Sequence, residues 1–259
     1  MTGPNPLLAA AVCSERGRPA NNEDNYLMNG RFKSLGSENR PMLEQCAPVL
    51  LGVFAVCDGM GGTSFGEVAA AMVVARLAGA ADRLCLGESG QAVELLSQIS
   101  AAIRQEAVRR KAHMGAAIVV AVTRGRQIDI YNVGDCRAYL WTPHSLRQLS
   151  EDHTVEQIMQ KIGGNIPSAS HQLTQFLGMD EEEFSIEPYH SQVELPVGGK
   201  LLLCSDGLTD MISENEIASC LSGAGSLKAQ TLALVDRALE AGGRDNVTAM
   251  IIAELAEGT

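Results

Sequence analysis

Short apolar runs alternate with polar turns along the chain, and their period changes several times. Leu7–Cys13 is continuously apolar and of strand length, and Tyr26–Met28 forms a second, shorter run. Between Arg31 and Cys46 the pattern breaks into polar, irregular sequence, which reads as a surface excursion. A strand through Val53-Phe54-Ala55-Val56-Cys57 then ends in Asp58, followed by the glycine-rich turn Gly59-Met60-Gly61-Gly62. From Thr63 the period becomes helical. Ser64-x-x-Glu67 has capping-box spacing, and Ala69, Met72, Val73, Leu77, Ala80 and Leu84 place one stripe on one long helix. A second helix is striped by Leu95, Leu96, Ile99, Ala102, Ile103 and Ala107.

The period then returns to that of strands over Ala116–Thr123, Gln127–Val133 and Cys136–Trp141. The separators Arg124-Gly125-Arg126 and Gly134-Asp135 have hairpin composition. Ser150 to Glu187 is polar, with short helices expected and an acidic patch at Asp180–Glu183; a segment of this length inside a domain reads as a flap. The strand Lys200–Cys204 runs into Ser205-Asp206-Gly207, Ser213 and Ser226 each open a helix, and Val247–Ala253 is the closing strand. Short antiparallel strands after two helices indicate an α+β layered architecture, not a doubly wound parallel sheet. With no repeat, low-complexity tract or Pro-rich linker, residues 1–259 read as one domain with a flap at about 150–187.

Composition narrows the chemistry. A net charge of −11 argues against nucleic acid, whose binding requires Lys and Arg to neutralise phosphates. The first apolar run is too short to span a bilayer and no basic residue precedes it, so a cytoplasmic protein with no membrane contact is expected. Seven scattered cysteines without a Cys-x-x-Cys pair exclude zinc-site spacing and read as buried free thiols. Four acidic positions stand out at strand ends and turns: Glu23/Asp24, Asp58, Asp206 and Asp245. Carboxylates at neighbouring strand ends could converge on a hard divalent cation, with a glycine admitting its carbonyl to the ion. On spacing alone, the alternative stands that each Asp only caps its turn.

Seven motifs follow one another along the chain: Asn22-Glu23-Asp24, Asp58-Gly59-Met60-Gly61-Gly62, Val133-Gly134-Asp135-Cys136-Arg137, Leu149-Ser150-Glu151-Asp152-His153-Thr154, Leu173-Thr174-Gln175-Phe176-Leu177-Gly178, Leu203-Cys204-Ser205-Asp206-Gly207 and Gly243-Arg244-Asp245-Asn246-Val247-Thr248. As a set and in this order they resemble the metal-dependent Ser/Thr protein phosphatases of type 2C. The resemblance implies a four-layer αββα sandwich and hydrolysis of phosphoserine and phosphothreonine in proteins. It also implies two Mn²⁺ or Mg²⁺ ions, with Asp58 bridging them, Asp206 and Asp245 completing one site, and Glu23 and the Gly59 carbonyl serving the other. Asp24 would be a ligand or act through a water, and Asp135 would be structural. The implied nucleophile is a hydroxide shared by two cations roughly 3.5–4 Å apart.

Three departures qualify the match. Pro19 stands where the family has a phosphate-contacting Arg, leaving Arg18, one place earlier, for that role. Ala112 replaces an Asp that helps hold a third metal, so none is expected, and His113 reads as solvent-facing. Met60 stands where some relatives have a candidate acid, and His153 reads as structural. Partners are expected to be phosphorylated proteins and a cognate Ser/Thr kinase. The competing reading is a weakly active or inactive module of the same fold that binds phosphoproteins.

Overall fold

The computed structural model describes residues 6–37, 39–61, 65–87, 90–164, 172–179 and 185–254. The first part of the chain forms β1 (Leu8–Glu15), β2 (Asn25–Met28), β3 (Met42–Gln45) and β4 (Leu51–Met60). Three helices follow, α1 (Gly66–Gly79), α2 (Ala81–Leu86) and α3 (Gly90–Arg110). Next come β5 (Gly115–Arg124), β6 (Gln127–Val133), β7 (Arg137–Thr142), β8 (Ser145–Gln148), α4 (Val155–Lys161), β9 (Tyr189–Glu194) and β10 (Lys200–Cys204). The chain closes with α5 (Asp206–Thr209), α6 (Glu214–Ser222), α7 (Leu227–Glu240) and β11 (Val247–Glu254).

The strands form two antiparallel sheets, ordered β3-β1-β11-β10-β7-β8 and β2-β4-β5-β6-β9. Alternation along each strand builds the layers. On β4, Phe54 and Val56 face the other sheet, while Val53, Ala55 and Cys57 face α1, α2 and α3. On β11, Met250 and Ile252 join the layer between the sheets, while Val247, Ala249 and Ile251 pack with α6 and α7. Every central strand therefore buries both faces, which is why its sequence is a near-continuous apolar run. The α+β, four-layer αββα expectation is borne out. All seven cysteines are buried free thiols, and no helix among the described residues is long and apolar enough to cross a membrane.

Several local expectations change. Met42–Gln45, inside the presumed irregular excursion, is edge strand β3 paired with β1. The single long helix is two, divided at Ala80. Helix α1 starts at Gly66 after Phe65 in the left-handed region, without a side-chain cap; Ser64 and the acidic patch Asp180–Glu183 lie outside the described residues. Gly134-Asp135 is not a hairpin: β6 pairs with β5 and β9, β7 pairs with β10 and β8, and the turn carries the chain from one sheet to the other. Ser213 and Ser226 cap α6 and α7 as expected, the former in a full capping box with Glu216.

Candidate active site

At one end of the sandwich, six loops or strand ends converge on a cleft of about 760 Å³, whose lining includes Glu23, Asp58, Gly59, Asp135, Asp206 and Asp245. Asp58 is not the last residue of its strand, because β4 continues to Met60 and pairs there with Gly115. By alternation Asp58 shares the face of Phe54 and Val56, so its carboxylate closes the inter-sheet layer where that layer meets the cleft. From the opposite sheet, Asp206 opens α5 directly after β10, and Asp245 precedes β11. Glu23 and Asp24 lie on the chain passing between the sheets, from β1 to β2.

Neutral polar groups tie these segments together. The buried Asn246 side chain accepts from Glu23 N–H at 2.7 Å and donates to the carbonyls of Arg16 at 2.7 Å and Asn21 at 2.9 Å. Asp24, fully buried, accepts at 2.7 Å from Ser205 Oγ, which in turn accepts from Thr248 N–H at 3.0 Å. Behind it, buried Lys33 donates to Ser14 Oγ at 3.2 Å, and its charge favours the Asp24 carboxylate. Glycines permit the close packing. A Cβ on Gly66 would collide with the Glu23 carboxylate, and one on Gly59 would collide with the Gly66 carbonyl. The α1 N-terminus, β4 and Glu23 are thus held in contact by two residues without side chains.

The electrostatics have one theme. Burial pushes the Asp24 carboxyl up to about 7 and Asp206 to about 6, the latter helped by the charge of Asp245. Burial also raises Asp135 to about 7, with Asp206 adding to the shift. Asp58 rises well above the ordinary range through burial and the charges of Asp24, Asp206, Asp135 and Asp245. Glu23 is raised by burial and by Glu67 and Asp245. Among the described residues, Asp24 Oδ1, Asp206 Oδ1 and Glu67 Oε2 are buried without a hydrogen-bond partner. Among the described residues no three His, Cys, Asp or Glu side chains meet the spacing of a closed metal site as they stand. The donor set is nevertheless all hard oxygen, strongly negative and short of positive partners, which fits a hard divalent cation.

Of the residues singled out in the sequence, Glu23, Asp58, Gly59, Asp206 and Asp245 line one cleft, and Asp24 is bonded behind it through Ser205. Asp135, read as structural, lines the cleft as well. Arg18 does not: Pro19 lines the cleft, while Arg18 and Arg16 line an adjoining pocket of about 590 Å³. Ala112 and the exposed His113 line a third cavity of about 1220 Å³, next to Met60 and Phe176. His153 accepts from Gly134 N–H at 3.1 Å and so fixes the crossover between sheets. Sequence reasoning gave no role to Asn246 or Ser205 and took Glu67 for a capping residue. The signal for Ser205 and Asn246 was adjacency to Asp206 and Asp245, while Glu67 carried none beyond its capping-box spacing.

Residues 47–241 match the profile of the family described as Protein phosphatase 2C. The chain belongs to the protein phosphatase 2C family. It is 30% identical over 253 residues to "Serine/threonine phosphatase stp" of Listeria welshimeri, covering 92% of this chain and 93% of that protein. The catalytic domain of the serine threonine protein phosphatase PstP, solved in complex with 2 manganese ions, superposes with a TM-score of 0.79 at 27% identity, covering 96% of this phosphatase and 99% of that chain. Serine/threonine phosphatase Stp1 from Staphylococcus aureus gives 0.78 at 26%, covering 95% of each. The family and the enzyme class expected from the motifs are borne out.

Proposed function

We propose that this phosphatase hydrolyses phosphoserine and phosphothreonine in proteins, using two divalent cations, Mn²⁺ or Mg²⁺, held in the acidic cleft. The observation that carries the reading is the meeting of carboxylates from both sheets in one cleft, where Asp206 Oδ1 and, just behind the cleft, Asp24 Oδ1 are buried with no hydrogen-bond partner among the described residues. PstP, with its 2 manganese ions, supports the choice of metal. Asp58 from the five-stranded sheet would face both ions, Asp206 and Asp245 from the six-stranded sheet one of them, and Glu23 with the Gly59 carbonyl the other. Asp24 would act directly or through a water. Bound cations would supply an activated water and positive charge for the phosphoryl oxygens.

The chain's own residues do the arranging. Asn246 sets Glu23 against Asp245 and Ser205 orients Asp24, which alone of the three carboxylates is buried away from solvent. Met60 offers no acid group, so the leaving group would take its proton from water or from another group at the cleft. Gln172, Leu173 and Phe176 of the segment expected as the flap line the cleft and would contribute to substrate choice, and phosphoproteins made by a Ser/Thr kinase are the expected partners. The test is Mn²⁺-dependent phosphate release from para-nitrophenyl phosphate and from a phosphothreonine peptide. Release should vanish with chelator and fall by at least about a hundredfold in Asp206→Asn, as expected when a metal ligand is lost. Purified, metal-loaded protein that releases no phosphate would leave only the phosphoprotein-binding module.

A further inference from the structure

The pocket beside the cleft carries charge of the opposite sign. It is lined by Arg16, Arg18, Glu15 and Asn39, with Gly242 and Gly243 in its wall. Two loops build the partition between pocket and cleft, and each loop contributes to both sides. In the first, Arg16, Gly17 and Arg18 face the pocket while Pro19, Ala20 and Asn21 face the cleft. In the second, Gly242 and Gly243 face the pocket while Asp245 and Asn246 face the cleft. The loops are locked together. Arg18 N–H donates to the Gly243 carbonyl at 2.8 Å, and Gly17, at φ +64°, packs so closely on the Asp245 carbonyl that no side chain fits. The arginines are therefore held at a fixed place relative to the carboxylate cleft.

Their head groups are available. Arg16 donates one N–H to the Ala20 carbonyl at 3.0 Å, and its other donors make no hydrogen bond among the described residues. Among the described residues the exposed Arg18 side chain makes no hydrogen bond or ion pair; it lies along Gly242, whose missing Cβ would stand 3.8 Å from its Nη2. Glu15 is partly buried, and burial and the charge of Asp236 raise its carboxyl above the ordinary range, with Lys33 opposing. In a chain of net charge −11, two arginines next to a strongly acidic cleft form a local reversal of field.

Resting on the phosphatase reading above, we infer that Arg16 and Arg18 form an anion subsite for a residue flanking the phosphorylated one, and that the preferred flanking group is a carboxylate or a second phosphoryl. An extended peptide advances about 3.3 Å per residue, so a neighbouring side chain can enter the pocket while the phosphoryl group occupies the cleft. Guanidinium geometry suits either anion, and a second phosphoryl, with more charge and more acceptors, binds more strongly. This assignment takes Arg18 away from the reacting phosphoryl group and gives it substrate selection instead.

The test uses the full chain with Mn²⁺ and four substrate types. These are para-nitrophenyl phosphate, a phosphothreonine peptide with neutral flanks, the same peptide with one Glu at successive positions on either side, and the Glu replaced by phosphoserine. At one or two positions the anion should lower KM by about fivefold, the range for exposed ion pairs, and by more for phosphoserine. Arg18→Gln should remove that preference, Arg18→Lys should keep most of it, and neither should alter kinetics on para-nitrophenyl phosphate or the melting temperature. A wild type indifferent to flanking anions overturns the inference. So does an Arg18→Gln that loses activity equally on all substrates, which would return Arg18 to the reacting phosphoryl group. Fluorescence anisotropy with the same labelled peptides reads the subsite without turnover. The anion subsite and the phosphatase reading can then fail separately.

Discussion

Removing the Asn246 side chain should uncouple the two loops that carry Glu23 and Asp245. Three hydrogen bonds of 2.7, 2.7 and 2.9 Å end on this one buried amide. At a net value of about 1 kcal/mol each, Asn246→Ala should cost roughly 3 kcal/mol, a large share of the roughly 5–15 kcal/mol typical of a domain. In urea unfolding the midpoint should fall with an unchanged slope, since the same surface is exposed. The functional effect is separable, because Glu23 N–H loses the acceptor that holds its loop in place. The Mn²⁺ concentration for half-maximal hydrolysis should rise by about 10- to 100-fold, as for other residues that orient metal ligands. Asn246→Asp, protonated at low pH, keeps the acceptor for Glu23 N–H and offers one O–H donor in place of two N–H donors, so there it should lie between wild type and Ala in stability. If Asn246→Ala stays within about 0.5 kcal/mol of wild type, the scatter of ordinary surface changes, and keeps its Mn²⁺ dependence, the coupling argument is wrong.

The acidic cleft also sets a pH dependence. Folding raises Asp24 to about 7 and Asp206 to about 6, so the folded state binds protons more tightly than the unfolded chain. The stability this confers is present at low pH and is lost as pH rises from about 4 through about 7. In chelator, the melting temperature should fall across that window, and Mn²⁺ should restore it most at neutral pH; a flat or rising profile in chelator would refute the argument. Gly66→Ala should displace the Glu23 carboxylate, weakening Mn²⁺ activation while leaving α1 intact by circular dichroism. An unchanged metal dependence in that variant would show that the packing of Gly66 on Glu23 has no functional weight.

The elements legible in the sequence are those buried on both faces. β1, β4, β5, β10 and β11 announce themselves as apolar runs because each lies between a helix layer and the opposing sheet. Three strands escaped notice, β3, β8 and β9, and all three are sheet edges. Tyr189–Glu194 has only alternating partial burial, so its sequence looks like a loop. Gly134-Asp135 misled for a different reason. Its composition suits a tight turn, but only the pairing of β7 with β10 reveals that the chain changes sheets there. The carboxylates could be picked out one by one, yet their convergence is a property of five separated segments. Arg18 shows the converse: in sequence it neighbours Pro19, while in space the partition between two pockets separates them.

Asp58 is rooted in one sheet, Asp206 and Asp245 in the other, and Glu23 in the chain that crosses between them. Under the proposed ligand set, cations at this end act as a rivet through the two sheets. The apolar layer of Val56, Ala117, Leu203 and Met250 that spaces those sheets then becomes part of the ligand geometry without touching an ion. A methyl group added or removed there would change the gap the cations must span. Side-chain packing in the middle of the sandwich and cation affinity at its end are one equilibrium, approached from two sides.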